Sequence, residues 1–115
     1  MIYHEEPTTL AMFAICIKRE VIEKCGYLDE SYGIGMFEDD DFSRAAKVAG
    51  YQLCIAEDSF VHHYDSFSFK KLGDEKYREL LKENMEKYNN KWKTKWQPHK
   101  YRDGVSGESV GLIEI

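Results

Sequence analysis

One stretch of the sequence, residues 32–44, constrains the fold more than any other. In it, Gly33 and Gly35 precede four consecutive carboxylates, which run from Glu38 to Asp41. Because glycine has no Cβ, it lets the backbone turn sharply and approach a neighbouring group closely. The stretch therefore predicts a glycine loop with four acidic side chains at its far end.

The residues that follow the acids predict a helix. Apolar side chains recur there at i, i+3, i+4 and i+7, which is one face of a helix. These side chains are Phe42, Ala45, Ala46 and Ala49. Gly50 favours the left-handed conformation that commonly ends a helix. We therefore expect a helix from about Asp39 to Ala49 whose first turn is acidic.

The acidic run has a structural and a functional interpretation. The free N–H groups and the dipole at a helix N-terminus favour negative charge, so an acidic first turn needs no function. However, adjacent carboxylates repel each other, and four in a row cost free energy unless a cation or a substrate uses them. A flexible loop that delivers carboxylates to a cleft suits a general base or a polyol-binding site. The run therefore favours a functional role.

Length and composition indicate one soluble globular domain. The chain has 115 residues, of which 43% are apolar and 32% charged. The longest apolar run, Leu10 to Ile17, is too short to span a bilayer, and the first seven residues lack the basic segment of a secretory signal. The cysteines, Cys16, Cys25 and Cys54, form no CxxC pair, which fits reduced thiols. We expect a cytoplasmic location, with peripheral binding to the inner face of the membrane as the alternative.

The net charge of −5 is unevenly distributed along the chain. Residues 1–65 hold 5 basic and 13 acidic side chains, a balance of −8, whereas residues 66–103 hold 11 basic and 6 acidic ones, a balance of +5. The basic part is either a solvated lysine-rich helix face or a patch for a phosphate-bearing or membrane-surface partner. The overall acidity and the lack of a nucleic-acid-reading motif argue against a nucleic-acid partner.

The remaining patterns predict an α/β fold with a thin sheet of about three strands. The strands fall at residues 8–18, 52–55 and 60–64, with a short helix at 19–25 and a long amphipathic helix from about Asp74. Its apolar stripe is formed by Tyr77, Leu80, Leu81, Tyr88 and Trp92. Residues 104–115 are predicted to form a loosely held tail. A strand as apolar as Leu10 to Ile17 needs neighbours on both sides, so the chain looks like part of a larger sheet whose exposed edge would allow self-association.

Two further features accompany the acidic loop. The pair His62 and His63 lies at the end of a predicted strand, where open α/β sheets place their ligand sites. Residues 91–102 combine two tryptophans, Trp92 and Trp96, with several basic side chains. Each feature has a structural alternative, namely satisfied histidines and packed indoles. The functional interpretation is a metal ligand and a platform near a sugar or diphosphate.

Five segments in this order resemble the C-terminal half of family 2 glycosyltransferases, which have the GT-A fold. They are residues 18–30, Gly35 to Asp41, Ala49 to Tyr51, Phe60 to His63 and 91–102. The match as a whole, including the apolar stretch before the first segment, runs from about Leu10 to Arg102. The resemblance implies a partial GT-A-like, nucleotide-diphospho-sugar transferase fold over residues 1–103, which is incomplete without an N-terminal Rossmann-like half that binds the nucleotide.

The resemblance also implies an activity, the inverting transfer of a sugar from a nucleotide-sugar donor to a hydroxyl of a carbohydrate or lipid-linked acceptor. Asp39 matches the general base that would deprotonate this hydroxyl. The implied acceptor-binding residues are Glu38, Asp40, Gly35 and Trp92. A divalent metal, Mn²⁺ or Mg²⁺, would hold the diphosphate, with His62 as the best-matching ligand and His63 as the second. Without the nucleotide-binding half, the chain is expected to be inactive.

Two other functions fit the same residues. One is a non-catalytic module that binds a carbohydrate or a protein through the Trp92 and Trp96 segment. The other is a small metal-binding domain that uses His62, His63 and the acidic loop, although these residues lack the compact spacing of structural zinc sites. Loss of function on changing Asp39 would favour the enzyme, and loss on changing a tryptophan alone would favour the binding module.

Overall fold

The computed structural model describes residues 3–5, 9–62 and 73–97. Over these ranges the chain forms two short strands, three α-helices and one 3₁₀ turn. They are β1 (Tyr3–Glu5), α1 (Arg19–Cys25), the 3₁₀ turn (Glu30–Tyr32), α2 (Glu38–Val48), β2 (Cys54–Ala56) and α3 (Asp74–Trp92). The predicted tail, residues 104–115, lies outside the described residues.

The predicted helices are confirmed to within about one residue. Helix α1 ends at Gly26, whose φ of 83° is accessible to glycine and whose N–H donates to the carbonyl of Ile22. Helix α2 runs from Glu38 to Val48, and Gly50 after it has a φ of 96°. These boundaries follow from local signals, namely the apolar spacing and the glycine caps.

Helix α3 has 19 residues and buries only a narrow stripe. Asn84 and Tyr88 are buried within it, and Leu81 and Trp92 are partly buried. Most of its other side chains are charged and exposed. No helix within the described ranges has the length and apolar character that crossing a membrane requires.

The predicted strand at residues 8–18 is wrong over residues 9–18, which form turns and irregular backbone. A strand buried on both faces needs hydrogen-bonding partners on both sides, and no described segment pairs with this one. Instead, the Ser43 hydroxyl accepts hydrogen bonds from the Leu10 N–H at 3.0 Å and from the Thr9 hydroxyl at 3.1 Å. The apolar side chains of the segment therefore reach the core from a non-strand backbone that is anchored to α2.

The sheet also differs from the predicted three strands. Strand β2 covers Cys54–Ala56, close to the predicted 52–55, and pairs antiparallel with β1, with Tyr3 opposite Ala56. Residues 60–62 of the predicted third strand are not a strand, and Phe60 is 70% exposed, so it lacks the packed face that strands need. Residues 63 and 64 lie outside the described part. In the described residues the sheet is a single two-stranded pair.

Helix α2 lies between two apolar clusters. The first cluster is formed by Leu10, Val21, Phe42, Ala46, Leu53 and Ile55. The second is formed by Tyr32, Phe37 and Tyr88, with Leu81, Met85, Trp92 and Trp96 partly buried against it. Burial of one large apolar side chain contributes about 1.5–3 kcal/mol. Phe42 and Ala46 of α2 belong to the first cluster, and Phe37, the residue just before α2, belongs to the second. The acidic N-terminus of α2 is thereby fixed in position next to α3.

Candidate functional site

The glycine loop has an unusual backbone between Gly33 and Phe37. Gly33 and Gly35 have φ values of 71° and 138°, and Met36 and Phe37 have φ values of 73° and 71°. A left-handed conformation costs a residue with a Cβ about 1–2 kcal/mol. Such strain persists only where surrounding contacts impose it, and it is concentrated at functional sites. The loop that delivers the acids is therefore held in place by its neighbours.

Asn84 of α3 is the residue that holds the loop. Its side chain is fully buried, and its Nδ2 donates to the backbone carbonyls of Tyr32 at 2.9 Å, Gly35 at 2.6 Å and Met36 at 3.0 Å. Buried carbonyls without such a partner would each cost free energy comparable to a lost hydrogen bond. The two N–H donors of this one amide are thus shared among three carbonyls of the loop backbone.

Aromatic packing reinforces this attachment. The ring of Phe37, the last loop residue, is 4% exposed and lies 5.8 Å from the Tyr88 ring and 5.2 Å from the Trp96 ring, the latter in an edge-to-face arrangement. Aromatic pairs of this geometry add about 0.5–1.5 kcal/mol beyond their burial. The loop is therefore clamped by polar and apolar contacts from the same helix and its C-terminal extension.

Asp41, the last of the four acids, is a buried anchor. It is 4% exposed and accepts hydrogen bonds from Trp92 Nε1 at 2.8 Å, from Lys91 Nζ at 3.0 Å and from the Tyr32 hydroxyl at 3.3 Å. Burial and the nearby Asp41 charge raise the pKa of Tyr32 well above its usual value. These contacts join α2, α3 and the 3₁₀ turn, so the role of Asp41 is structural.

Lys91 bridges Asp41 to a second carboxylate. Its Nζ lies 2.9 Å from Asp29 Oδ2, and this hydrogen bond, with those from Ser31, lowers the pKa of Asp29 to about 2. Burial alone would lower the pKa of Lys91, but its hydrogen bonds to Asp29 and Asp41 raise that pKa overall. The cation is therefore fixed between two acids at the end of α3.

Glu38 and Asp40 lie in surroundings that disfavour their charged forms. Burial, and then the negative charge of Asp39, raise the pKa of Asp40 to about 7, although Asp40 Oδ1 accepts a hydrogen bond from Trp96 Nε1 at 3.2 Å. Burial also raises the pKa of Glu38, whose Oε2 is buried and has no hydrogen-bond partner among the described residues. Asp40 is thus able to exchange a proton near neutral pH, and burial makes the charged form of Glu38 less favourable than usual.

Asp39, the predicted base, is partly buried in the first turn of α2. Its Oδ1 accepts a hydrogen bond from the backbone N–H of Asp40 at 2.8 Å. This bond fixes the direction of the carboxylate, and a carboxylate carries further lone pairs that can accept a proton or a hydrogen bond. The side chain is therefore oriented while retaining acceptor capacity.

A pocket of about 510 Å³ opens between α2 and the end of α3. We call it the α2–α3 pocket, and its polar and aromatic lining comes mainly from Asp40, Arg44, Lys47, Tyr88, Lys95 and Trp96. Its volume is typical of a site for a small molecule. Arg44 is held by a hydrogen bond from its Nη1 to the Tyr88 hydroxyl at 3.1 Å and lies 5.6 Å from the Trp92 ring. Asp40 thus connects the acidic loop to a cationic and aromatic pocket.

The structure brings only some of the predicted site residues together. Glu38, Asp39 and Asp40 are neighbours at the start of α2, and Gly35 belongs to the clamped loop. The Trp92 N–H donates to Asp41, so this indole is bound within the protein, and Trp96 is the tryptophan that lines the pocket.

The predicted metal site is not assembled in the described residues. His62 is exposed beyond β2, and His63 lies outside the described part of the chain. Over residues 9–62 and 73–97, no three His, Cys, Asp or Glu side chains converge as metal ligands would. Because one of the two predicted ligands lies outside these ranges, the metal site stays a prediction.

Sequence analysis missed Asn84 and the role of Arg44. Asn84 follows Leu81 by three residues and precedes Tyr88 by four, so it interrupts the apolar stripe of α3 with a polar amide. A polar side chain on a buried helix face needs hydrogen-bond partners, and this was the available signal. Arg44 follows the acidic run on α2, and apart from its charge nothing in the neighbouring sequence indicated a role in the site.

Comparison of the chain with models of protein families, with characterised proteins and with solved structures gives no match. The geometry of the loop, the acids and the pocket therefore carries the functional argument, together with the resemblance noted in the sequence.

Proposed function

We propose that the chain is the acceptor-side part of an inverting glycosyltransferase of the family 2 type, with a partial GT-A-like fold. In this proposal it works with an N-terminal nucleotide-binding half, which supplies the nucleotide-sugar. The observation that carries the proposal is the strained loop, held by Asn84, that leads directly into Glu38, Asp39 and Asp40, of which Asp40 lines the α2–α3 pocket.

Three features of this arrangement support an acid–base site. The loop is held by buried contacts, so its carboxylates occupy defined positions, as catalysis requires. Asp40 has a pKa of about 7 and lines the pocket, so a proton acceptor lies where a small molecule would bind. Asp41, by contrast, is engaged by Lys91 and Trp92. The acids thus divide into a buried anchor, Asp41, a carboxyl that lines the pocket, Asp40, and two preceding neighbours in the first turn of α2.

In the proposed mechanism, Asp39 removes the proton from the acceptor hydroxyl as the hydroxyl oxygen attacks the anomeric carbon of the donor. The bond from this carbon to the diphosphate oxygen breaks at the same time, and the nucleoside diphosphate leaves with the bonding electron pair. The hydrogen bond from the Asp40 N–H orients the Asp39 carboxylate for this transfer. Asp40 and Glu38 hold neighbouring hydroxyls of the acceptor, since each carboxyl can accept and, when protonated, donate a hydrogen bond. Trp96 packs against the sugar.

The test is Asp39→Asn in the enzyme completed by its nucleotide-binding half, with transfer from UDP- and dTDP-sugars as the readout. Removal of a general base lowers kcat by about 10²–10⁴-fold, whereas donor affinity should stay unchanged. Asp74→Asn is the matched control, because Asp74 is an exposed carboxylate in the first turn of α3. Transfer at the unaltered rate by Asp39→Asn would contradict the assignment of the base.

One observation favours the alternative function, a non-catalytic carbohydrate- or protein-binding module. Trp96 lines the α2–α3 pocket, so an aromatic platform exists independently of Asp39. If this alternative holds, Trp96→Ala weakens ligand binding by at least about tenfold, as loss of an aromatic anchor commonly does, and Asp39→Asn has no effect. If the enzyme proposal holds, the two variants both lower transfer.

A further inference from the structure

We propose that the α2–α3 pocket binds a sugar ring that carries an anionic group, a carboxylate or a phosphate. The pocket's charges, its fixed indole and its size carry this inference. The inference rests on the proposed function in one respect only, namely that the bound sugar is the acceptor of the transfer reaction. Binding itself is a property of the described residues and can be tested without the transfer reaction.

The charges of the pocket favour an anion. Among the residues that the structure describes, Arg44, Lys47 and Lys95 line it with three cations, and Asp40 is the one carboxylate of the lining. This balance is opposite to the net charge of −5 on the whole chain. Hydrogen bonds from ionised donors to a carboxylate or phosphate are about twice as strong as those between neutral groups. A neutral sugar has no negative charge to pair with these three cations.

Arg44 is the most precisely placed of the three cations. Its Nη1 bond to the Tyr88 hydroxyl and its position 5.8 Å from the Tyr88 ring and 5.6 Å from the Trp92 ring fix the guanidinium plane. A guanidinium has five N–H donors, so the bond to Tyr88 does not exhaust it. Planar carboxylate and phosphate groups suit this fork of donors. Lys47 and Lys95 are exposed at the pocket and add charge without fixed geometry.

Trp96 supplies the surface for the ring. Its indole is partly buried and is fixed by the Nε1 bond to Asp40 and by edge-to-face contact with Phe37. An aromatic side chain that is already immobile loses little conformational entropy when a ligand packs on it. The apolar C–H groups of a sugar ring can contact the indole while its hydroxyls face the polar side chains. The same pocket therefore recognises both parts of the ligand.

Asp40 is compatible with an anion in the pocket. Its raised pKa, caused first by burial and then by the Asp39 charge, leaves a large share of the carboxyl protonated at pH 7. In that form it donates a hydrogen bond to a hydroxyl or to the anionic group instead of repelling it. Asp39 and Glu38 are the other titratable groups that influence Asp40.

The experiment is a titration of the full chain, followed by NMR shifts and calorimetry, with four probes at pH 7 and low salt. The probes are glucuronate, glucose 6-phosphate, glucose and inorganic phosphate. We expect glucuronate, glucose 6-phosphate or both to bind with a Kd on the order of 1 mM, and glucose and inorganic phosphate to bind at least about tenfold more weakly. The glucuronate and glucose 6-phosphate arms decide whether the anion is a carboxylate or a phosphate.

Variants locate the binding. Lys47→Ala and Lys95→Ala should each weaken binding by about threefold to tenfold, and raised salt should weaken it further. Lys82→Ala is the matched control, because Lys82 is an exposed lysine of α3 that does not line the pocket. Lys47→Arg, which keeps the charge, should retain binding.

Each contrary result overturns a defined part of the inference. Equal binding of glucose and glucuronate would overturn the anionic group, and inorganic phosphate as tight as glucose 6-phosphate would overturn the sugar ring. No binding by any probe, or the same loss in Lys82→Ala as in Lys47→Ala, would overturn the site. Binding with no transfer by the completed enzyme would leave this inference standing and contradict the proposed function instead.

Discussion

Replacement of Asp41 by alanine should destabilise the fold strongly, although Asp41 is one acid in a run of four. Its carboxylate is the common acceptor for Lys91, the Trp92 indole and the Tyr32 hydroxyl. Tyr32 is 1% exposed, so its hydroxyl would lose its partner without gaining water. An unsatisfied buried polar group costs about 1–3 kcal/mol, and breaking a buried charge pair costs about 3–5 kcal/mol.

We therefore expect Asp41→Ala to lower the free energy of unfolding by about 3–5 kcal/mol. Lys91 is 41% exposed and regains hydration, which places the expected loss toward the lower end of that range. Asp41→Asn keeps the shape and one acceptor oxygen but loses the charge and carries an NH₂ donor in place of the second oxygen, so it should cost about 1–2 kcal/mol. The difference between the Asn and Ala variants reports what the remaining acceptor oxygen contributes.

The assay is urea unfolding at pH 7, followed by tryptophan fluorescence and by circular dichroism. With an m-value of about 1–3 kcal/mol per M, a loss of 3 kcal/mol moves the midpoint by at least about 1 M. Asp39→Ala is the matched control, because it removes the neighbouring first-turn carboxylate and should cost no more than about 1 kcal/mol. A midpoint for Asp41→Ala within the error of the Asp39→Ala midpoint would refute the reasoning.

Two further predictions concern Asp40 and Asn84. The folded-state pKa of Asp40, about 7, lies above its ordinary value of 3.8, so the folded chain binds the extra proton between those pH values and loses stability as pH rises through them. Asp40→Asn should remove this pH dependence of the free energy of unfolding, so at pH 8 the variant should be more stable than the unaltered protein by about 2–4 kcal/mol. Urea unfolding at pH 5 and pH 8 measures the difference, and an unchanged pH dependence would contradict the prediction. Asn84→Ala should release three loop carbonyls and cost about 2–4 kcal/mol, with faster proteolysis at residues 33–37, whereas Asn90→Ala at an exposed position should change neither.

Local signals predicted the helices well. The boundaries of α2 follow from the spacing of Phe42 and Ala46 and from Gly50, all within one short stretch. The strand predicted at residues 8–18 failed because apolar composition does not specify a partner. Of its apolar side chains Leu10 is buried, at 8% exposed, and Met12, Ile15 and Ile17 are only partly buried against the first cluster, while the Leu10 N–H donates to Ser43 and not to a strand.

The site depended on contacts that the sequence could not reveal. The difference between Asp39 and Asp41 depends on Trp92, which is 51 residues from Asp41 along the chain. Adjacent acids look alike in a sequence, because which of them meets a distant indole or lysine is decided by how α3 packs on α2. The clamp by Asn84 has the same origin, since its acceptors lie about 50 residues upstream.

The structure also weakens the inference that the acidic run must bind an external cation or substrate. Four adjacent carboxylates suggested that an external cation or substrate must offset their repulsion. Within the chain, Lys91 already offsets the charge of Asp41, and a pKa of about 7 reduces the charge on Asp40. The run therefore does not carry four full negative charges at pH 7, and its acidity alone no longer calls for a metal ion. Two features still favour a function. One is the strained backbone between Gly33 and Phe37, which the surrounding contacts hold in place, because such strain is concentrated at functional sites. The other is the cationic α2–α3 pocket, which Asp40 lines just after this loop.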